Sequence, residues 1–183
     1  MSEIYLIRHG RTEANEKWLY CGSTDLFLSE KGAEDLKNIS YTVPENVIFI
    51  TSGMNRTEQT LNILFGDVPH KIDDRFKEVD FGIFEMKSYE SLKDQADYQA
   101  WISGDNEKNV PPKGESGEQM KKRVLEGLKA LQKEVNPVVL VCHGGVIACI
   151  MEHLYPQENK NRYEWQPKPG HGYLIKDGRY QEL

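Results

Sequence analysis

The chain lacks most of the features that would place it in a special class. No apolar run in its 183 residues approaches the ~20 needed to cross a bilayer as a helix, so no membrane association is expected. Basic side chains are outnumbered, 23 Lys and Arg against 29 Asp and Glu. The resulting formal charge of −6 excludes a nucleic-acid binder working by bulk positive charge. Only three cysteines are present, Cys21, Cys142 and Cys149, an odd count with no CxxC spacing, which points to a reduced, cytoplasmic protein. The opening EIYLIRHG is too polar, with an Arg at position 8, to read as a signal peptide. His70, His153 and His171 have no paired spacing with Asp, Glu or Cys, so no metal and no cofactor are expected. Repeats, heptads and low-complexity tracts are absent too. One domain spanning 1–183 is therefore expected, at roughly 100–200 residues per domain.

What is present is a strand–helix alternation. Ile4-Tyr5-Leu6-Ile7, Val47-Ile48-Phe49-Ile50 and Val138-Val139-Leu140-Val141-Cys142 are short, β-branched-rich runs, each ended by a glycine-containing segment. Such runs fit strands buried on both faces of a parallel sheet. Helical patterns follow over Thr12–Leu19, Met54–Phe65 and Val146–Leu154. Met120, Val124, Leu128, Leu131 and Val135 recur at helical steps, with Ser116 and Gln119 spaced as a capping box and Asn136-Pro137 as the stop. Tyr173-Leu174-Ile175 and Arg179-Tyr180, joined by Lys176-Asp177-Gly178, read as a hairpin. The pattern predicts a three-layer α/β fold with a mostly parallel central sheet flanked by helices. Residues 77–115 are polar and aromatic instead, and read as a small cap of one or two helices and a loop.

Ligands of open α/β sheets bind outside the carboxyl ends of the strands. Arg8 and His9 stand after the first run, Ser52 and Arg56 after the second, and His143 after the third. Two imidazoles and two guanidiniums gathered there would make a cationic pocket in an acidic protein, which suits a phosphate dianion. A neutral imidazole can attack phosphorus if its other nitrogen keeps the proton. A second imidazole, protonated, would stabilise charge on the equatorial oxygens. Glu78 is a candidate proton donor to the leaving alcohol, given apolar neighbours such as Phe81.

These residues match a family. Leu6-Ile7-Arg8-His9-Gly10-Arg11-Thr12-Glu13-Ala14-Asn15 resembles the signature segment of the histidine phosphatase superfamily, which includes phosphoglycerate mutases and small phosphatases of the fructose-2,6-bisphosphatase and α-ribazole phosphatase types. Further blocks follow in family order. They are Gly22-Ser23-Thr24-Asp25 with Leu28 to Gly32; Ser52, Arg56, Gln59 and Thr60; Glu78 with Phe81-Gly82 and Phe84-Glu85; Gly114-Glu115-Ser116 with Arg123; and His143-Gly144-Gly145. The resemblance implies a phosphoglycerate mutase-like fold, His9 as the phosphorylated residue, and Arg8, Asn15 and Arg56 on the phosphate. It implies His143 as the second histidine and Glu78 as the acid. Three positions depart from the family pattern: Gly53-Met54 before Arg56, Met86 where aromatic-Glu-Gly is common, and Arg11 for a frequent glutamate. Met86 is expected to narrow the pocket mouth or alter how the cap begins.

Each residue has a plainer reading. His9 alone could be a strand-end histidine, Arg56 a surface arginine and Glu78 part of the solvated acidic run Asp73 to Asp80. Cys142 beside His143 reads as inert packing, and His171 as structural. The ordered set of blocks favours a metal-independent phosphatase acting on a small phosphorylated metabolite. A phosphoglycerate mutase and a non-catalytic phospholigand sensor are the rivals. Substrate identity and oligomeric state are left open.

Overall fold

A computed structural model describes residues 2–105 and 107–183. In chain order the elements are β1 (Ile4–Arg8), α1 (Glu13–Glu16), α2 (Glu30–Leu36), β2 (Ile48–Thr51), α3 (Asn55–Phe65) and β3 (His70–Ile72). They continue as α4 (Tyr89–Leu92), α5 (Ala96–Ile102), α6 (Gly117–Leu131), β4 (Val138–Cys142), α7 (Gly144–Leu154), β5 (Gly172–Lys176) and β6 (Arg179–Glu182).

Successive side chains of a strand point to opposite faces, and the central strands are apolar on both. Ile4, Leu6, Val138 and Leu140 enter one core with Val124 and Leu128 of α6 and Ile147 and Ile150 of α7. Tyr5, Ile7, Val139 and Val141 enter the other with Leu61 of α3. Helices therefore cover both faces, which is the three-layer arrangement expected. The sheet order is β3-β2-β4-β1-β5-β6. The first four strands are parallel, and the β5–β6 hairpin closes one edge antiparallel. In the β1–β4 register Arg8 lies opposite Cys142, so His9 and His143 leave the sheet at the same height.

Two local expectations are revised. The helix expected over Thr12–Leu19 is only four residues long: a Thr12/Asn15 capping box starts it, and Lys17 ends it. Leu19 then pairs with Ser88, and Tyr20 packs among the cap aromatics, so tertiary pairing overrides local helix propensity. Helix α6 stops at Leu131, leaving Val135 91% exposed rather than on its apolar stripe. Two elements carried too little pattern to read. Helix α2 buries only Gly32 and Leu36, and β3 is a three-residue, fully exposed edge strand.

The segment 77–115 contains α4 and α5, which bury Leu92 and Tyr98 against Phe84 in a separate small core with Tyr20, Phe81 and Trp101. Met86 does not line the cleft beside this core. Its N–H donates to Tyr20 O at 2.7 Å, so it shapes how the cap begins. No helix among the described residues is long and apolar enough to cross a membrane.

Candidate active site

The floor of the site is built where β1, β2 and β4 end. The His9 N–H donates to Cys142 O at 3.0 Å, continuing the β1–β4 pairing past the strand. The next N–H, of Gly10, donates to Thr60 Oγ1 at 2.9 Å, tying the turn to α3. The two histidine rings meet edge to face with centroids 5.2 Å apart, and both are buried.

The hydrogen bonds assign both tautomers. His9 Nδ1 lies 2.6 Å from Gly10 O. A carbonyl only accepts, so Nδ1 carries the proton and Nε2 presents a lone pair. For His143 the chain of donors runs back from Met54 O. Thr57 Oγ1 donates to that carbonyl at 2.7 Å, so Ser52 Oγ must donate to Thr57 across 3.1 Å. Ser52 then accepts from His143 Nε2 at 2.9 Å, leaving Nδ1 bare to accept from Arg56 Nε at 3.3 Å. His143 is thus a neutral imidazole here, not the protonated one expected. Burial and the adjoining Arg56 guanidinium, with His9 next in effect, hold its pKa well below the ordinary 6.5. Burial, Arg56 and Arg8 do the same to His9, which stays neutral.

Arg56 is anchored at its far end. Its NH1 and NH2 groups donate to Thr24 O at 2.8 Å and Gly22 O at 2.7 Å. Arg8 donates through NH1 to Pro167 O at 2.8 Å, while its buried Nε has no partner among the described residues. An unmet buried donor is unfavourable, and here it is a free N–H beside Gly144. A Cβ on Gly144 would sit 2.8 Å from Gln166 Oε1 and 3.2 Å from that Nε, so glycine gives the guanidinium room close to the start of α7. Asn15 Oδ1 accepts from the Thr12 N–H and hydroxyl, which leaves its NH2 end as the donor for a ligand. Arg8 and Asn15 both line a cleft of about 590 Å³. A smaller hollow of about 420 Å³, lined by Glu58, Asn62 and His70 among others, contains none of the expected site residues.

Glu78 approaches from the opposite side. Its carboxylate accepts from Gly145 N–H at 2.9 Å and Val79 N–H at 3.0 Å. Arg123, paired with Glu115, donates to the carbonyls of Arg75, Lys77 and Glu78 and fixes this segment on α6. Phe81, expected beside Glu78, packs on Tyr20 and Trp101. Cys142 is fully buried, and burial pushes its thiol up, so it is no nucleophile. His171 bonds Leu183 O through Nδ1, a structural contact.

Glu85, which stands in the Phe84-Glu85 block without an expected role of its own, organises the loop that holds Arg56. Its carboxylate accepts from the N–H groups of Gly22, Ser23, Thr24 and Phe81 and from the Thr24 hydroxyl. The carbonyls of Gly22 and Thr24 then face the guanidinium. Nothing in residue spacing signals this, because the contacts span about sixty residues.

Two guanidiniums and two buried imidazoles gathered at the carboxyl edge of a parallel sheet define an α/β protein with a cationic cluster at its strand ends, where ligands of such folds bind. The chain belongs to the histidine phosphatase superfamily (branch 1), whose family model matches residues 4–176. It is similar to the adenosylcobalamin/α-ribazole phosphatase of Salmonella typhimurium, with 28% identity covering 91% of this chain and 86% of that protein. It is also similar to a probable phosphoglycerate mutase, GpmB, of Enterobacter sp. strain 638, with 29% identity covering 82% of this chain and 74% of that one. Among solved structures, a putative α-ribazole-5′-P phosphatase of Escherichia coli superposes with a TM-score of 0.84. At 23% identity, covering 100% of this chain and 94% of that one, it establishes the phosphoglycerate mutase-like fold. Superfamily and relatives support a phosphatase enzyme.

Proposed function

We propose that the protein hydrolyses a small phosphate monoester through a phosphohistidine on His9, as one catalytic unit with its cap at 77–115. The observation that carries this reading is the His9 Nδ1–H bond to Gly10 O, which leaves Nε2 unprotonated in a pocket of positive charge. Nε2 attacks phosphorus in line, and the phosphorus–oxygen bond to the alcohol breaks. Arg8, Arg56 and the Asn15 amide hold the phosphoryl oxygens, and the positive charge comes from the guanidiniums. Glu78 enters this step as the carboxylic acid, gives its proton to the departing alkoxide, and is left as the carboxylate that accepts from the Gly145 and Val79 N–H groups. The same carboxylate then takes a proton from water as the oxygen attacks the phosphohistidine. The phosphorus–nitrogen bond breaks, and His9 returns to its starting tautomer. Splitting one displacement into two is the general gain of nucleophilic catalysis.

His143 contributes differently from the expected cation. As a neutral ring it accepts from Arg56 Nε through Nδ1 and so orients the guanidinium, whose remaining N–H groups serve the phosphoryl oxygens.

A phosphate-release screen over sugar phosphates, nucleotides and phosphoglycerates tests the reading, with His9→Ala as control. We expect activity that survives chelator, is blocked by vanadate and falls roughly 10⁴-fold or more in the variant. Undiminished activity in His9→Ala, or loss on chelation, overturns it. The resemblance to a probable mutase favours one second reading, return of the phosphoryl group to the substrate. Rapid isomerisation of 3-phosphoglycerate with little phosphate release would replace hydrolysis by that reading.

A further inference from the structure

Seven large hydrophobic side chains are exposed among the described residues, and three of them, Trp18, Tyr89 and Tyr163, line the same cleft. Scattered exposed apolar residues need no explanation, but a cluster around a cavity does. The cleft is also lined by Arg8 and Asn15, two of the residues proposed to hold the phosphate, so it adjoins that site. Its volume of about 590 Å³ lies within the roughly 300–1,000 Å³ of small-molecule sites.

Trp18 is the least expected of the three. It is 87% exposed and joins no ring pair among the described residues, so packing does not hold it there. Its φ of +56° is a left-handed conformation that bulky side chains disfavour. Met86, at +58°, shows the same feature on the facing segment. Between them Leu19 pairs with Ser88, and backbone bonds join Tyr20 N–H to Lys87 O and Met86 N–H to Tyr20 O. This bridge fixes Trp18 relative to Tyr89, the residue after Ser88. Tyr163 enters from the loop after α7, its N–H bonded to Asn161 Oδ1. A strained turn at Trp18, and the bridge that ties it to the segment before Tyr89, thus place aromatic side chains around the cleft. Strain of this kind persists where the surroundings impose it, and it clusters at ligand sites.

We propose that this cleft takes the alcohol portion of the substrate by aromatic stacking. The preferred substrates are then phosphate monoesters whose alcohol bears a planar heteroaromatic ring, nucleoside monophosphates being the simplest class. The proposal rests on the phosphatase reading for the position of the phosphate, but its test separates the two.

Adenosine 5′-monophosphate and ribose 5-phosphate offer the same leaving oxygen and differ by the base. We expect kcat/KM to favour the nucleotide by roughly 10- to 100-fold, the range that base–aromatic stacking supplies, and mainly through KM. Trp18→Ala and Tyr163→Ala each pull that ratio toward one, and Trp18→Phe keeps most of it. Because the ratio is internal to each variant, loss of folded protein does not move it. Equal kcat/KM for the two esters, or a ratio unchanged in both alanine variants, overturns the proposal. Equilibrium binding to His9→Ala supplies the separating arm. If neither ester turns over but the nucleotide still binds at least tenfold tighter, the phosphatase reading falls and the stacking cleft stands. If ribose 5-phosphate turns over and both bind equally, the cleft assignment alone falls.

Discussion

The floor of the pocket and its rim are built on opposite terms. On the floor, nearly every polar atom is committed: His143 to Ser52 and Arg56, Arg56 to two carbonyls, Glu78 to two N–H groups. Around the rim, Trp18 and Tyr163 stand in solvent, and Trp18 and Met86 hold unfavourable backbone angles. Chemistry needs groups preorganised to fractions of an ångström, which only a buried and saturated network provides. Recognition of the rest of a ligand needs accessible surface, and that surface is held at some expense in stability.

If the floor is one network, breaking its central cation should have the largest effect. Arg56→Lys keeps the charge but cannot reach Gly22 O, Thr24 O and His143 Nδ1 together. A fall in kcat/KM of about 10²- to 10³-fold is expected, measured by phosphate release on the ester the screen identifies as best. Near-normal activity in the lysine variant would mean that the carbonyl anchors are dispensable.

Acid should act on the floor next. His9 and His143 have folded pKa values well below 6.5, mainly through burial. The unfolded chain therefore takes up protons first as pH falls, and the stability held above about 6.5 is lost on the way down to the folded values. Urea denaturation should show lower stability at pH 5.5 than at pH 6.5. By the same sign, kcat/KM should keep its His9-dependent activity below the pH where an ordinary imidazole protonates. An acid limb centred at 6.5 or above would contradict the buried, neutral pair.

Glu85 tests whether the two regions are separate at all. It lies at the start of the cap segment, yet it arranges the loop that grips Arg56. Glu85→Ala should lower kcat/KM about tenfold, an energy of about 1.4 kcal/mol, and Glu85→Gln should recover part of it. Lower stability with unchanged kcat/KM would leave the floor independent of the cap. The smallest effect is expected at the rim. Met86→Gly relieves a positive φ and should raise stability by about 0.5 kcal/mol, once the extra freedom of glycine in the unfolded chain is counted. Thermal denaturation checks the direction.

Much of this molecule was legible before its coordinates. The central strands were readable because β-branched runs bounded by glycine leave few alternatives. That Arg8, His9, Arg56 and His143 share one edge was readable because each follows such a run, and strand ends of a parallel sheet lie together; Asn15 was legible only through the family resemblance. The short first helix, the early end of α6 and the edge strand β3 were not, since propensity there is weak and contacts far along the chain decide. His143 shows the limit most clearly. Its presence could be inferred from its position after β4, but its charge could not.

The central strands, their alternation with helices and the kinds of group that follow each strand were therefore set by local composition and spacing. The tautomers, the anchoring of Arg56 through Glu85 and the aromatic mouth were decided only by tertiary structure. The reason is physical: apolar periodicity is a property of neighbouring residues. Protonation and hydrogen-bond partners, in contrast, depend on burial and on groups brought close from distant parts of the chain.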